Sequence, residues 1–303
     1  MFDIVTVGNF SIDHIFLPQN WRARRRLGGS ATYVSLAAKN LGSNVSVVSK
    51  VGEDFPQRYI QWLKRRGIDL SSLQIIKGDS TTRYLLCYSE TGMRRLILKC
   101  KGPVIRDEEI ESVSEARALH IAPIAGEISS TALRRVVGRG MIVSVDPQGF
   151  LRSFMQGGEV YLEGRFGYEA FRGADIIKAS EDEAEAITGT TDLQKSIDIL
   201  SDADVRIIMV TRGVSGSILR LYDRTYLVPA AEPRKVVDTT GSGDVFIGAF
   251  LAEYVRGEDI LWCASVASAA ASFIIEKVGP SGFGSKKRIY ERATTVHDKI
   301  ELL

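Results

Sequence analysis

Cysteine and histidine are scarce in this 303-residue chain: three of each, at 87, 100 and 263 and at 14, 120 and 297. No CxxC pair and no HExxH occurs. An odd, scattered set of thiols cannot build a disulfide framework, so a reducing cytoplasmic setting is expected. The same scarcity argues against a zinc site. No run is apolar for long enough to cross a bilayer. The most apolar stretch, Ala264 to Ile275, is short, holds serines and reads as a buried helix. The first residues, Met1-Phe2-Asp3-Ile4-Val5, place an acid early and lack the charged-then-apolar pattern of a signal peptide. An excess of charge is missing too. Lys and Arg total 39 against 37 Asp and Glu, a net charge of +2. That balance gives no general attraction to nucleic acid or to a membrane surface.

What is present is ordinary globular composition, 45% hydrophobic and 25% charged, which is enough apolar mass to exclude disorder as the main state. Short β-rich runs alternate with helical ones. Strands are expected over Phe2–Gly8, Val45–Val51, Ala118–Ile124, Met141–Asp146, Ala174–Lys178 and Val205–Thr211. They are apolar on both faces, as in a parallel sheet covered by helices. Helices are expected over Ala31–Leu41, with Gly42 just past the end, and over Pro56–Arg66, stopping at Gly67. Three more follow at Asp244–Arg256, Asp259–Glu276 and Lys286–Leu302. The alternation predicts an α/β fold, a doubly wound, mostly parallel sheet flanked by helices. Two stretches break the rhythm. His14–Leu27 carries the basic run Arg22, Arg24, Arg25 and Arg26, and Thr81–Lys99 reads as two strands around the turn Ser89-Glu90-Thr91-Gly92. A small sheet beside the main body absorbs both, either as a lid over a cleft or as plain edge strands.

Three glycine-bearing segments carry chemistry. In Asp238-Thr239-Thr240-Gly241-Ser242-Gly243-Asp244 a strand end meets a small-residue turn and then an apolar helix. Such a turn can aim free N–H groups into one concavity, where they and the helix dipole attract an anion. Asp244 stands beside that cradle. The dipole favours its ionised form, and a fixed carboxylate there can take a proton from an attacking hydroxyl. The bland alternative is a first-turn acid next to an ordinary turn. In Leu27-Gly28-Gly29-Ser30-Ala31-Thr32-Tyr33 the paired glycines permit close backbone approach to a ligand, or simply a turn before a helix capped by Ser30. Gly8-Asn9-Phe10-Ser11-Ile12-Asp13 follows the first strand, beyond whose carboxyl end ligands bind in open α/β sheets. Asn9 and Asp13 can there meet substrate hydroxyls, or make an Asx turn. A Walker loop, a complete GxGxxG and a GxSxG elbow are all missing.

Together these segments resemble the ribokinase-like (PfkB) carbohydrate kinase family, from about residue 2 to 285. The resemblance implies one kinase domain over residues 1–303 with lid segments at about 14–27 and 81–100. It implies Asp244 as the base that deprotonates the acceptor hydroxyl, and Gly241, Ser242 and Gly243 as the anion hole. Asn9, Asp13, Gly28 and Gly29 become substrate contacts. Tyr33 stands where many members have an Asn that contacts substrate, which argues against a plain ribokinase. Ser180-Glu181-Asp182-Glu183 resembles the N-x-x-E segment. Ser180 replaces the usual Asn, and Glu183 organises Mg2+ through water. Thr211, Gly213 and Gly216 resemble the nucleotide-contacting turn, and Ser265–Phe273 falls where the family builds part of its adenine pocket. Asp238 and Thr240 lie where some members hold K+. The implied reaction is ATP- and Mg2+-dependent phosphorylation of a sugar or polyol, with a nucleoside as the next choice and a sugar phosphate third. A non-catalytic binding module and a dinucleotide oxidoreductase are the rival classes. Pairing of lid strands between copies implies a homodimer.

Overall fold

The computed structural model describes all residues except 19, 91–93 and 165. The chain opens with β1 (Phe2–Val7), runs into the hairpin β2 (Ser11–Leu17) and β3 (Asn20–Gly28), and returns through α1 (Ser30–Asn40) to β4 (Val45–Gly52). Next come α2 (Gln57–Arg65), β5 (Leu73–Ile76), β6 (Thr82–Tyr88) and β7 (Arg94–Cys100). The middle of the chain holds α3 (Asp107–Glu111), β8 (Ala116–Ile121), α4 (Ala132–Val136), β9 (Ile142–Val145), α5 (Gln148–Leu151) and the short pair β10 (Arg152–Phe154) and β11 (Val160–Leu162). Then follow β12 (Ile176–Ser180), α6 (Glu181–Thr188), α7 (Leu193–Ser201), β13 (Ile207–Thr211), and the hairpin β14 (Ser217–Leu221) and β15 (Arg224–Val228). Three helices, α8 (Ser242–Tyr254), α9 (Ile260–Ile274) and α10 (Lys286–His297), precede a last short strand, β16 (Glu301–Leu302).

Ten strands form one sheet in the order β16-β15-β14-β13-β12-β9-β8-β1-β4-β5. From β5 to β13 every pairing is parallel, while β14, β15 and β16 add antiparallel strands at one edge. The strands are apolar because both faces are covered, and β4 is buried at every residue. One face packs under α1, α2, α8, α9 and α10, and the other under α3 to α7. Helix α8 crosses α1 closely: a methyl at Gly248 would meet the Val34 carbonyl oxygen at 2.5 Å. Gly42 and Gly67 end their helices at φ +101° and +75°, which L side chains resist.

The two stretches outside the alternation form a separate four-stranded sheet, β3-β2-β6-β7, with its own apolar core of Ile15, Leu17, Tyr84, Leu86 and Tyr88 against Ile124 and Ala125. Residues 14–27 fall within the β2–β3 hairpin. The chain turns after Leu17, where Pro18 has no N–H for the ladder. The turn expected over Ser89 to Gly92 reaches residues 91 and 92, outside the described residues. Strand order reverses between β1, which continues to β4, and β8, which continues to β9. In open α/β sheets the ligand crevice opens at such a reversal, beyond the carboxyl ends of the strands.

Candidate active site

The carboxyl ends of β9, β12 and β13 bring Gln148, Ser180, Glu183 and Thr211 to one cavity of about 240 Å³. The start of α8 closes it from the opposite layer and the small sheet covers it. Gly241 enters the helix at φ +77° with no side-chain cap, and its Cα lies against the Tyr33 ring. The amides of Gly241, Gly243 and Asp244 have no backbone partner among the described residues. They are orphan donors at the positive end of a thirteen-residue helix, which suits an anion. Gly243 must be small for another reason: a Cβ there would stand 2.6 Å from the Lys178 ammonium.

Lys178 is the only charged residue in β12, an otherwise apolar strand. Its ammonium lies 2.8 Å from Asp146 Oδ2, with both side chains buried. Burial works to lower the Lys178 pKa, but the carboxylates of Asp146, Glu183 and Asp244 outweigh it and hold the ammonium well above its usual value. Asp244 is half-buried. Gln148 donates to its Oδ1 at 3.3 Å and to the Ser30 hydroxyl at 2.6 Å. Burial raises the Asp244 pKa and the Asp146 charge adds to the rise, while Lys178, Ser30 and Arg152 pull back. The helix dipole alone led to the expectation of an ordinary ionised acid, but the carboxyl sits above its usual range because desolvation dominates. Glu183 is raised for the same reason, burial first and Asp146 second.

Asp13 also lines the cavity. It is 5% exposed, accepts a hydrogen bond from Ser11 Oγ at 2.6 Å, and is pushed up to about 6 by burial and by Asp238. Gly29, at φ +88°, packs on the Asn9 and Ser11 backbone at the head of α1. Tyr33 is buried on the cavity wall, and its hydroxyl has no hydrogen-bond partner among the described residues. Thr240, Gly241, Ser242, Gly243, Ser180, Glu183 and Thr211 complete the expected residues that meet here.

A second, mostly apolar cavity of about 440 Å³ adjoins the first. Thr211, Thr239, Ser242 and Gly243 line both, so the glycine turn is the partition. Gly213, Gly216, Phe246, Ser268, Ala271 and Ser272 are among its walls. Part of the expected 265–273 segment therefore faces it. Ser265 is not among the residues that line it, and its hydroxyl donates to Leu261 O.

Three expectations are corrected. Asn9 lies away from the cavity: its side chain donates to Pro103 O at 2.7 Å and accepts from Lys50 N at 2.9 Å, so it ties loops together. Gly28 does not line the cavity either; it is small because a Cβ would overlap the Asp13 carboxylate. Ser30 is no cap, since Gly29 holds that position and the Ser30 hydroxyl faces Gln148. The arginines of β3 do not reach the cavity, whereas Arg94 and Arg152 do. Asp238 is spent inside the protein, accepting from Tyr88, Thr240 N and Gly279 N.

Sequence reasoning passed over Lys178, Arg94 and Arg152, and gave the strand-end loop with Asp146 and Gln148 no role. The lysine interrupting an apolar strand was a usable signal, because a charge in a covered strand needs a partner. Arg152 and Arg94 follow no pattern readable in one sequence.

Residues 1–287 match the model of the pfkB family carbohydrate kinases. A cytidine kinase of Thermococcus kodakarensis is 31% identical over 285 residues, covering 92% of this chain and 98% of its own. A nucleoside kinase of Methanothermobacter thermautotrophicus is 29% identical over 294 residues, covering 91% and 90%. Among solved structures, the Methanocaldococcus jannaschii nucleoside kinase, an archaeal member of the ribokinase family, superposes with a TM-score of 0.78 at 23% identity. It covers 97% of this chain and 99% of its own.

Proposed function

The chain belongs to the pfkB family of carbohydrate kinases, and we propose that it transfers a phosphoryl group from ATP to a hydroxyl of a nucleoside. The carrying observation is the Asp244 carboxyl on the wall of a cavity, next to unpaired helix amides that separate it from a larger apolar cavity. That layout suits an acceptor on one side, a nucleotide on the other, and transfer across the glycine turn. Phosphoryl transfer needs in-line positioning and charge neutralisation, and this turn supplies fixed dipoles for both.

Asp244 takes the proton of the attacking hydroxyl. A carboxyl raised by burial is a better match to that task than one at its ordinary value. Lys178, Arg152 and the turn amides offset the negative charge of the phosphates. Asp13 accepts from acceptor hydroxyls. Tyr33, Tyr84, Leu86, Leu96 and Ile124 form an aromatic and apolar wall against which a base can lie. That wall, together with the cytidine and nucleoside kinase relatives, supports reading the acceptor as a nucleoside rather than the free sugar expected from sequence. Arg94 at the same wall is the one observation favouring an acceptor that carries phosphate.

Among the described residues no three or more His, Cys, Asp or Glu side chains are grouped to hold a metal directly. Glu183 and Asp244 therefore fit Mg2+ carried in on phosphates with water between, the usual habit of that ion. A Mg2+ ion held there would supply positive charge to offset that of the phosphates. Since the Asp238 carboxylate is already engaged, main-chain carbonyls of Asp238 and Thr240 are the groups left for K+. Among the described residues no helix is long and apolar enough to cross a membrane. A cytoplasmic setting is part of the proposal, supported by three free thiols. So is a homodimer through the small sheet, in whose order β3 is an edge strand.

Asp244→Asn should lower kcat by roughly 10²–10⁴-fold and leave ATP binding intact. An unchanged kcat on whichever nucleoside, sugar or sugar phosphate the wild type accepts would remove the base assignment.

A further inference from the structure

Strand β6 touches the acceptor cavity and the anion-binding turn with one face. Alternate residues point the same way along a strand, and Thr82, Tyr84, Leu86 and Tyr88 are the buried set of β6. Tyr84 and Leu86 line the acceptor cavity, while Tyr88 does not. Its hydroxyl instead crosses from the small sheet to the main body. It donates to Asp238 Oδ1 at 2.7 Å, and the Thr240 hydroxyl lies 3.0 Å away. A phenol has one proton to give, so the Thr240 hydroxyl is the donor in the second bond. The same Asp238 oxygen accepts from Thr240 N at 3.0 Å, and the other accepts from Gly279 N at 3.1 Å. Val278, next along, packs on the core of the small sheet. Thr240 is therefore held from the small sheet twice, through the Asp238 carboxylate and through its own hydroxyl.

We propose that Tyr88 is a positioning residue that couples acceptor seating to the shape of the phosphate-binding turn. The proposal rests on the kinase reading above. An acceptor resting on Tyr84 and Leu86 fixes the register and tilt of β6. The Tyr88 hydroxyl carries that placement to Asp238 and to Thr240, the residue just before the first free glycine amide. With the acceptor absent the strand is less restrained, and the turn is less well set to align a phosphate for attack by water. The small sheet thus contributes to transfer through a strand face rather than through a group that touches the phosphate.

Tyr88→Phe removes one oxygen and keeps the ring. The test measures calorimetric binding of the β,γ-imido analogue of ATP, with and without cytidine, in wild type and variant. It adds steady-state kinetics and amide exchange over residues 238–244. The expected result is that cytidine tightens analogue binding in the wild type and that most of this gain is lost in Tyr88→Phe. Cytidine alone should bind both proteins alike, and kcat should drop about tenfold at unchanged acceptor KM. Amides of the 238–244 turn should exchange faster in the variant. Thr240→Val should give the same pattern at smaller size, and combined with Tyr88→Phe it should add little. It serves as the readout where Tyr88→Phe folds poorly. Retained coupling together with unchanged exchange would overturn the proposal. Failure of the wild type to phosphorylate any acceptor would defeat the kinase reading instead, and the exchange measurement would still judge Tyr88.

Discussion

Asp13 carries the most direct pH signature of any single residue. Its folded pKa of about 6 lies above the ordinary 3.8, because burial favours the neutral acid. The folded state therefore holds the proton more tightly than the unfolded chain between those values. The stabilisation is full below the unfolded pKa and is lost as pH rises through about 6. For substrate the sign reverses, since the ionised carboxylate is the better acceptor of hydroxyl protons. Acceptor KM should fall as pH rises from about 5 to 7, and Asp13→Asn should flatten that dependence. A wild-type KM that is level across the range would contradict the role given to Asp13. This behaviour was not legible in the sequence. Asp13 was singled out by its place after the first strand, but its burial depends on Gly28 leaving room for it and on residues far along the chain.

At the scale of elements, the glycine turn and α8 were the most readable part of the molecule. Gly241 needs a positive φ and Gly243 needs a small side chain, and both requirements are written as residue types. They fail differently. Gly243 lies inside the helix with ordinary backbone angles, and the atom it would strike is the end of a flexible lysine. Gly243→Ala should thus change the unfolding midpoint by only a few degrees, about 1 kcal/mol or less, yet displace Lys178 and lower kcat at least tenfold. Thermal unfolding and kinetics on the same preparation check this, and an active variant would show that Lys178 placement is unimportant. Other elements hid themselves. The β14–β15 hairpin turns through Tyr222, which takes φ +53° where glycine or asparagine would normally announce the turn. The β2–β3 hairpin was masked by its run of arginines, which carries no alternating pattern. The parallel strands were legible because covering both faces makes them continuously apolar.

The whole molecule places its chemistry where the strand order reverses, with the small sheet as roof and α8 as floor. That architecture followed from the alternation of elements and from three glycine-bearing segments in the right order. The charge cluster below the turn did not, because Lys178, Asp146, Gln148 and Asp244 come from three strand or helix ends that only the fold assembles. Assembly between copies belongs to this scale as well. Strand β3 lies at the edge of the small sheet, where a strand from another copy can add to it. Sedimentation velocity at micromolar concentration should give a mass near twice 33.3 kDa, and a monomer at every concentration would remove the dimer proposal.

The central claim is that a carboxyl next to unpaired helix amides strips a proton from a hydroxyl as a phosphoryl group arrives. It is tested most directly by following label from the γ-phosphate of ATP onto cytidine, other nucleosides, sugars and sugar phosphates, with wild type and Asp244→Asn side by side. The account predicts labelled nucleoside monophosphate from the wild type and at least about a hundredfold less from the variant, with nucleotide binding retained in both. Equal transfer by the two proteins would contradict it.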